Sequence, residues 1–500
     1  MKRVIKSIAT GLMVALLAAS SSAFSLLGPF TSWQVPQISY GVNINGVDLG
    51  GPMALGEEYR LNVPLMTYGF DASFLLFFGT NGVNAVDAAF RILNDLPHVT
   101  QMSADLAEFP LNSKLVNFQA RTLGILDLKS TTLGMMVAQM GLGNPERYTW
   151  TLRNRGITPA PVTTNYLVVR RNYDPITLAP SSFVNGTLYT YDIREFTAPQ
   201  FADAVERPVD PQASTYTSVA NVDDSGGGNF LQFTASSFGL GLNSGELYTG
   251  LSRDDVGGLR YLMRFNNFNI ESLAPGVTNV ARSNSVFGPP GPGAGVASPY
   301  GPTFTGTNLV FNPTNSATNS IIVGLRPGVG RVSFQKLEFD SFLYTAISRP
   351  VTNRFIDVVI TNSVVTNQLV QRIITFPDIL FTASDLGVIP AFSAPFLYVR
   401  TLPQGRWINN AQTNFVPTPG FTVPAGPGVI PPGSGGAAGA GIVMTFNTLF
   451  PSFFNETPFF LSEANSLRIQ TWGYFDAANI FALFPATTSL QELEALVLRP

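Results

Sequence analysis

One imidazole bounds the chemistry open to this chain. His98 is its single histidine, and it has no cysteine. Zinc sites draw on several histidine or thiolate ligands, and a Ser-His-Asp triad needs a histidine beside its serine. His98 follows Pro97 directly after an expected helix end and reads as a solvated loop residue. The lack of cysteine removes thiol nucleophiles, thiolate metal sites, iron–sulfur clusters and disulfides. Asn221, Asp223, Ser225 and Gly226 match the opening of a calcium loop, but Gln232 stands where a bidentate glutamate belongs. A polar turn is therefore the preferred reading, with a calcium site as the alternative. No phosphate-cradling G-x-x-x-x-G-K-[ST] loop or G-x-S-x-G nucleophile elbow occurs. A glycosidase needs only two acids across a cleft, but the carboxylates here are scattered and spacing pairs none of them. Trp33, Trp150, Trp407 and Trp472 are the tryptophans. Trp407 and Trp472 are the candidates for stacking on sugars, against the alternative that they are core. No residue is assigned as catalytic or cofactor-binding, and no cofactor is expected.

The elements that would position these residues are legible in places. Val86, Ala89, Phe90 and Leu93 recur at helical spacing after Asn81-Gly82, and Pro97 ends that helix. Leu133, Met136, Val137 and Met140 form a second stripe closed by Gly141, read as core packing. A third helix starts at Ser252, with Asp255 as its capping-box partner and Leu251 and Val256 placed for a hydrophobic staple. Helix initiation accounts for Asp254 and Asp255, so neither is assigned to catalysis. Asn165–Arg171 and Thr187–Ile193 are strand candidates near an Asn185-Gly186 turn. Arg354–Ile360, Leu369–Phe376 and Leu467–Phe475 are strand candidates in the second half.

Lys2, Arg3 and Lys6 precede an apolar run from Ile8 to Ala19 and small residues to Ala23. This is the pattern of a cleavable secretory signal, with Ser21 and Ala23 at the −3 and −1 positions. Its apolar body is too short to span a bilayer as a helix, and no transmembrane segment is expected in the mature chain. The 29 basic and 32 acidic residues give a net charge of −3, made more negative when the basic leader is lost. Such a balance offers no general attraction to nucleic acid. Charged residues are only 12% of the chain, about half the usual share. Neutral polar surfaces of this kind tolerate self-association or contact with neutral polymers.

Leu251–Met263, LSRDDVGGLRYLM, resembles the closing helix of matrixin-type metzincin zinc peptidases, and AVDAAFRILNDLP is similar to their opening helix. Set on the family's H-E-x-x-H-x-x-G-x-x-H pattern, GMMVAQMGLGN retains only the glycine, Gly141. The ligand positions hold Gly134, Ala138 and Asn144, and the general-base position holds Met135. The resemblance thus implies a degenerate scaffold without zinc or peptidase activity, a binding or structural module.

The expected fold class is an α+β N-terminal domain followed by a mainly β, sandwich- or jelly-roll-like C-terminal domain. The expected organisation is a signal peptide at 1–23, an extended lead at 24–56, an α+β domain at 57–267, a Pro/Gly-rich linker at 268–303 and a β-rich domain at 304–500. A Pro/Gly-rich insertion at 417–441 interrupts the last. The expected function is that of a non-catalytic exported structural or surface-interaction protein, extracellular or at the cell surface, with the periplasm as the other destination. Its partners would be further copies of itself, or an envelope or glycan polymer. The alternative is a secreted carbohydrate-binding or carbohydrate-active protein.

Overall fold

Apolar side chains from both ends of the sequence meet in one cluster, and that cluster organises the fold. In the computed structural model the described residues are 22–28, 33, 51–56, 58, 60–70, 72–146, 148–159, 162–197, 200–210, 244–272, 282–283, 321–340, 345–346, 351–361, 364–374, 377, 379–381, 399–401, 407–409, 412–414, 444–446, 471–484 and 487–497. They are of mixed α/β content, roughly β-rich, with several small sheets and few helices. The helices are α1 (Ala72–Asn94), α2 (Phe118–Thr122), α3 (Leu128–Gln139), α4 (Arg253–Met263) and α5 (Leu490–Val497). The principal strands of the first half are β1 (Phe24–Gly28), β2 (Leu65–Phe70), β3 (Ile125–Asp127), β4 (Thr151–Pro159), β5 (Val162–Val169), β6 (Thr187–Thr197) and β7 (Gln200–Pro208). Those of the second half are β8 (Ser333–Lys336), β9 (Val351–Thr361), β10 (Val364–Ile374), β11 (Ile379–Phe381), β12 (Thr471–Phe475) and β13 (Ile480–Phe484).

Each long helix follows its apolar stripe. Val86, Ala89, Phe90 and Leu93 of α1 are buried, as helical spacing requires of a core-facing side. The helix starts earlier than the Asn81-Gly82 expectation and breaks at Gly79, whose φ of 58° and ψ of −160° suit glycine alone. The turns before the break carry Phe74 and Phe78, both buried, with ring centroids 4.7 Å apart. In α3, Leu133, Met136, Val137 and Met140 are all buried, so the methionine stripe is core. Ser252 caps α4: its Oγ accepts from the Asp255 N–H at 3.3 Å, and Asp255 Oδ2 accepts from the Ser252 N–H at 2.8 Å. This reciprocal pairing satisfies two donors that a helix start leaves orphaned. Gly257 in α4 faces Pro175 so closely that a Cβ would lie 2.3 Å from the proline Cβ.

Strands from the two halves are interleaved. β2 lies between β8 and β11 and is parallel to both. β3 is parallel to β12, which pairs antiparallel with β13. The five residues Met66–Phe70 of β2 are buried without alternation, the pattern of a strand covered on both faces. The expected boundary at 268–303 therefore does not separate the described strands. β2 and β3 find their neighbours beyond it, and one hydrophobic cluster runs from Phe24 to Phe484. Within that expected linker, Asn269–Ser272 and Arg282–Ser283 pair with Ile321–Arg326. The described part of the lead segment is extended and joins the core. β1 pairs with Gly51–Pro52, Leu142–Gly143 and Asn172–Tyr173, and its Phe24 and Leu26 are core residues.

A buried guanidinium ties the halves together. Arg60 donates to the carbonyl oxygens of Leu262 at 3.0 Å, Asn267 at 2.9 Å and Arg326 at 2.7 Å. Arg326, itself buried, donates to the Asn62 carbonyl at 3.3 Å. Buried carbonyls require such donors. Further along, β9 and β10 form a long hairpin in an antiparallel sheet with Ile321–Arg326 and Trp407–Asn409. No helix among the described residues is long and apolar enough to cross a membrane, which says nothing of a β-barrel.

Candidate interaction surface

Two hairpins, β4–β5 and β6–β7, stand out from the core. The Asn185-Gly186 turn feeds the second: both residues have positive φ, 45° and 82°, the conformation that makes Asn-Gly a hairpin turn. β6 and β7 pair from Tyr189↔Pro208 to Thr197↔Gln200. β4 and β5 pair from Thr151↔Val169 to Pro159↔Val162, with one irregularity between Leu152 and Asn154.

The bases of the hairpins are packed together. Leu152, Ala202 and Ala204 form a small buried cluster flanked by Trp33, Val168, Tyr191 and Ile193. The Trp150 indole N–H donates to the Tyr189 carbonyl at 3.0 Å, and its ring lies 4.9 Å from that of Tyr191. The Arg153 guanidinium sits 4.1 Å above the Trp33 ring, a favourable cation–π distance. Glu195 of β6 bridges outward: it accepts from Arg155 Nε at 2.6 Å and from the Tyr166 hydroxyl at 2.6 Å. The Arg155 hydrogen bond holds the Glu195 carboxyl below its ordinary value, and the bond to Glu195 raises the Tyr166 phenol.

Beyond this bridge the β4–β5 ribbon is uncovered. Ile157, Val162 and Leu167 are 56%, 76% and 54% exposed. The two-residue period puts Ile157 and Val162 on the face that carries Arg155 and Tyr166, and Leu167 on the opposite face. Among the described residues the ribbon is a sheet of two strands, so both outer edges lack a strand neighbour. An isolated two-stranded ribbon is marginal in water. Open edges with exposed apolar side chains are templates for another strand. From Trp150 to Tyr173 the sequence holds Arg153, Arg155, Arg170 and Arg171 and no acid, within a chain whose net charge is −3.

Among the described residues, those singled out for chemistry are not brought to one site. Trp472 is 1% exposed and lies in the core beside β3, so the expectation that it stacks on sugars is corrected. Burial of the indole face leaves no surface for a glycan, and its N–H has no hydrogen-bond partner among the described residues. Trp407 lies in the short strand Trp407–Asn409, paired with β10 through Arg372; its side chain is outside the described residues. The calcium-loop candidates Asn221, Asp223 and Ser225 are also outside them, as are 1–21, 287–302 and 417–441. His98 bonds Thr100 Oγ1 through Nδ1 at 2.9 Å, and its ring lies 5.4 Å from that of Phe265. Of the metzincin positions, Gly134 lies within α3 and Asn144 is buried, its Oδ1 accepting from the Glu146 N–H at 2.9 Å. Among the described residues no three His, Asp or Glu side chains gather where a metal could be held.

The ribbon was only half legible. Asn165–Arg171 marks the end of β5, whereas β4 contains Gly156 and ends on Pro159, both unfavourable strand signals. No family model, curated protein or solved structure matches this chain.

Proposed function

We propose that the protein is a non-catalytic, exported structural or surface-interaction protein, and that the β4–β5 ribbon is its contact element. The observation that carries this reading is a ribbon of two strands whose edges have no strand neighbour among the described residues, with Ile157, Val162 and Leu167 exposed. Contact with a second copy adds a strand to an open edge and covers those side chains. The low charge content supports close association, since it lowers repulsion between copies. The leader-like N-terminus supports export to the cell surface or the surroundings, with the periplasm as the other compartment. The antiparallel sheet around β9 and β10 supports the β-rich character expected of the second half. An inactive metzincin-like scaffold, as the resemblance implies, is compatible with the same role. The carbohydrate alternative loses Trp472 to the core.

The test is fractionation of producing cells, followed with an antibody against the mature chain. Sedimentation with the envelope and release only by denaturant is the expected result. A free monomer in the medium would overturn the assembly reading.

A further inference from the structure

Asp254 is a buried carboxyl to which the described residues bring no cation. It is fully buried in the first turn of α4. Its Oδ2 accepts from the Asn185 N–H at 2.8 Å, and its Oδ1 accepts from the Ala23 N–H at 3.0 Å. Ala23 is fully buried and Ser22 nearly so. Among the described residues no lysine, arginine or histidine pairs with Asp254. Burial, aided by the neighbouring Asp255, pushes its carboxyl well above the ordinary range. A carboxyl buried among the Asn185 and Ala23 amides and the Ser22 hydroxyl, with no counter-charge among the described residues, is costly to ionise. The donor on Oδ1 belongs to the stretch of small residues where a leader would be cut.

We propose that the leader is removed between Ser22 and Ala23, and that the freed α-ammonium of Ala23 forms a buried ion pair with Asp254. This rests on the export reading. An exporting cell's leader peptidase would hydrolyse the Ser22–Ala23 amide with one water. The hydroxyl goes to the Ser22 carbonyl carbon, and the Ala23 nitrogen leaves as an amine that takes up a proton. Ser20 and Ser22 then occupy the −3 and −1 positions, small residues as that cut requires. Cleavage acts on the chain before it folds, so burial of the site in the folded protein is no obstacle. The amide nitrogen that already faces Asp254 Oδ1 becomes a charged donor without moving. The cut after Ala23 suggested by sequence alone would instead remove that nitrogen and leave Oδ1 without its donor.

The experiment is N-terminal sequencing and intact mass of the chain recovered from an exporting host, followed by pulse labelling with an amine-reactive ester. The expected N-terminus is Ala23, with its α-amine labelled more than about tenfold more slowly in the native protein than in denaturant, because opening must come first. In Asp254→Asn the protection is expected to fall and the unfolding midpoint to drop by roughly 5 °C. An exported chain beginning at Phe24 or elsewhere overturns the proposal. So does an Ala23 amine labelled equally fast in native and denatured protein, a comparison that does not depend on the variant folding. A chain retained uncut in the cytoplasm refutes the export reading itself.

Discussion

Replacing Trp472 with alanine should destabilise the first half of the molecule as much as the second. Trp472 is 1% exposed, and its strand lies parallel to Ile125–Asp127 in the core. A buried tryptophan removes about 150–250 Å² from water, worth roughly 4–6 kcal/mol at ~25 cal/mol per Å² as an upper bound. Trp→Ala changes in cores cost about 3–5 kcal/mol, so the loss expected here is ~4 kcal/mol. Trp472→Phe should cost less, about 1–2 kcal/mol, because it also removes a buried indole N–H that has no partner among the described residues. A surface tryptophan used for stacking would cost within roughly 0.5 kcal/mol. Urea unfolding gives the total, and hydrogen exchange read on peptides covering 65–70, 125–127 and 471–475 gives its distribution. Protection should fall in all three together. Loss confined to 471–484 with 65–70 and 125–127 unchanged would refute a shared core.

Arg60→Met keeps most of the side-chain volume but leaves the carbonyls of Leu262, Asn267 and Arg326 without this donor. A loss of about 3–5 kcal/mol is expected by denaturant titration. Gly257→Ala would gain about 1 kcal/mol in helix propensity, but its Cβ would meet the rigid Pro175 ring at 2.3 Å. Overpacking of about 1–3 kcal/mol should win, lowering the thermal midpoint. The hydrogen bond from Arg155 lowers the Glu195 carboxyl below its ordinary 4.5, so the bridge between the hairpins is fully present above that value. It is lost as pH falls through the lower folded value. Protection of β4–β5 and β6–β7, taken relative to intrinsic amide exchange, should fall modestly as the Glu195 carboxylate is protonated below its ordinary range, and Glu195→Gln should abolish the step.

What could be read from sequence was local. The Ser252–Asp255 box, the Asn185-Gly186 turn and the stripes of α1 and α3 depend on residues within a few positions of one another, and each is present. The turns of α1 before Gly79 lie outside the expected helix, because the positive-φ glycine breaks the spacing just ahead of Asn81-Gly82. The interleaving of the halves left no comparable trace. Ser333↔Leu65 and Thr471↔Ile125 are parallel pairings between distant segments, with no hairpin turn to announce them. A Pro/Gly-rich stretch between two patterned regions reads as a domain boundary even when strands on either side share one sheet. Trp472 illustrates the same limit, since its burial depends on strand β3, far away in sequence. The ribbon stayed hidden because exposure of Ile157, Val162 and Leu167 follows from what does not cover them.

The role of the ribbon is tested most directly by sedimentation velocity of the mature chain over a concentration series, beside the triple variant Ile157→Lys, Val162→Lys, Leu167→Lys. All three positions are exposed, so each change should alter stability by no more than about 0.5 kcal/mol. Concentration-dependent association of the unaltered chain, and a monomer with an unchanged melting midpoint for the variant, is the expected result. Equal sedimentation of the two proteins at every concentration would contradict a contact role for the β4–β5 ribbon.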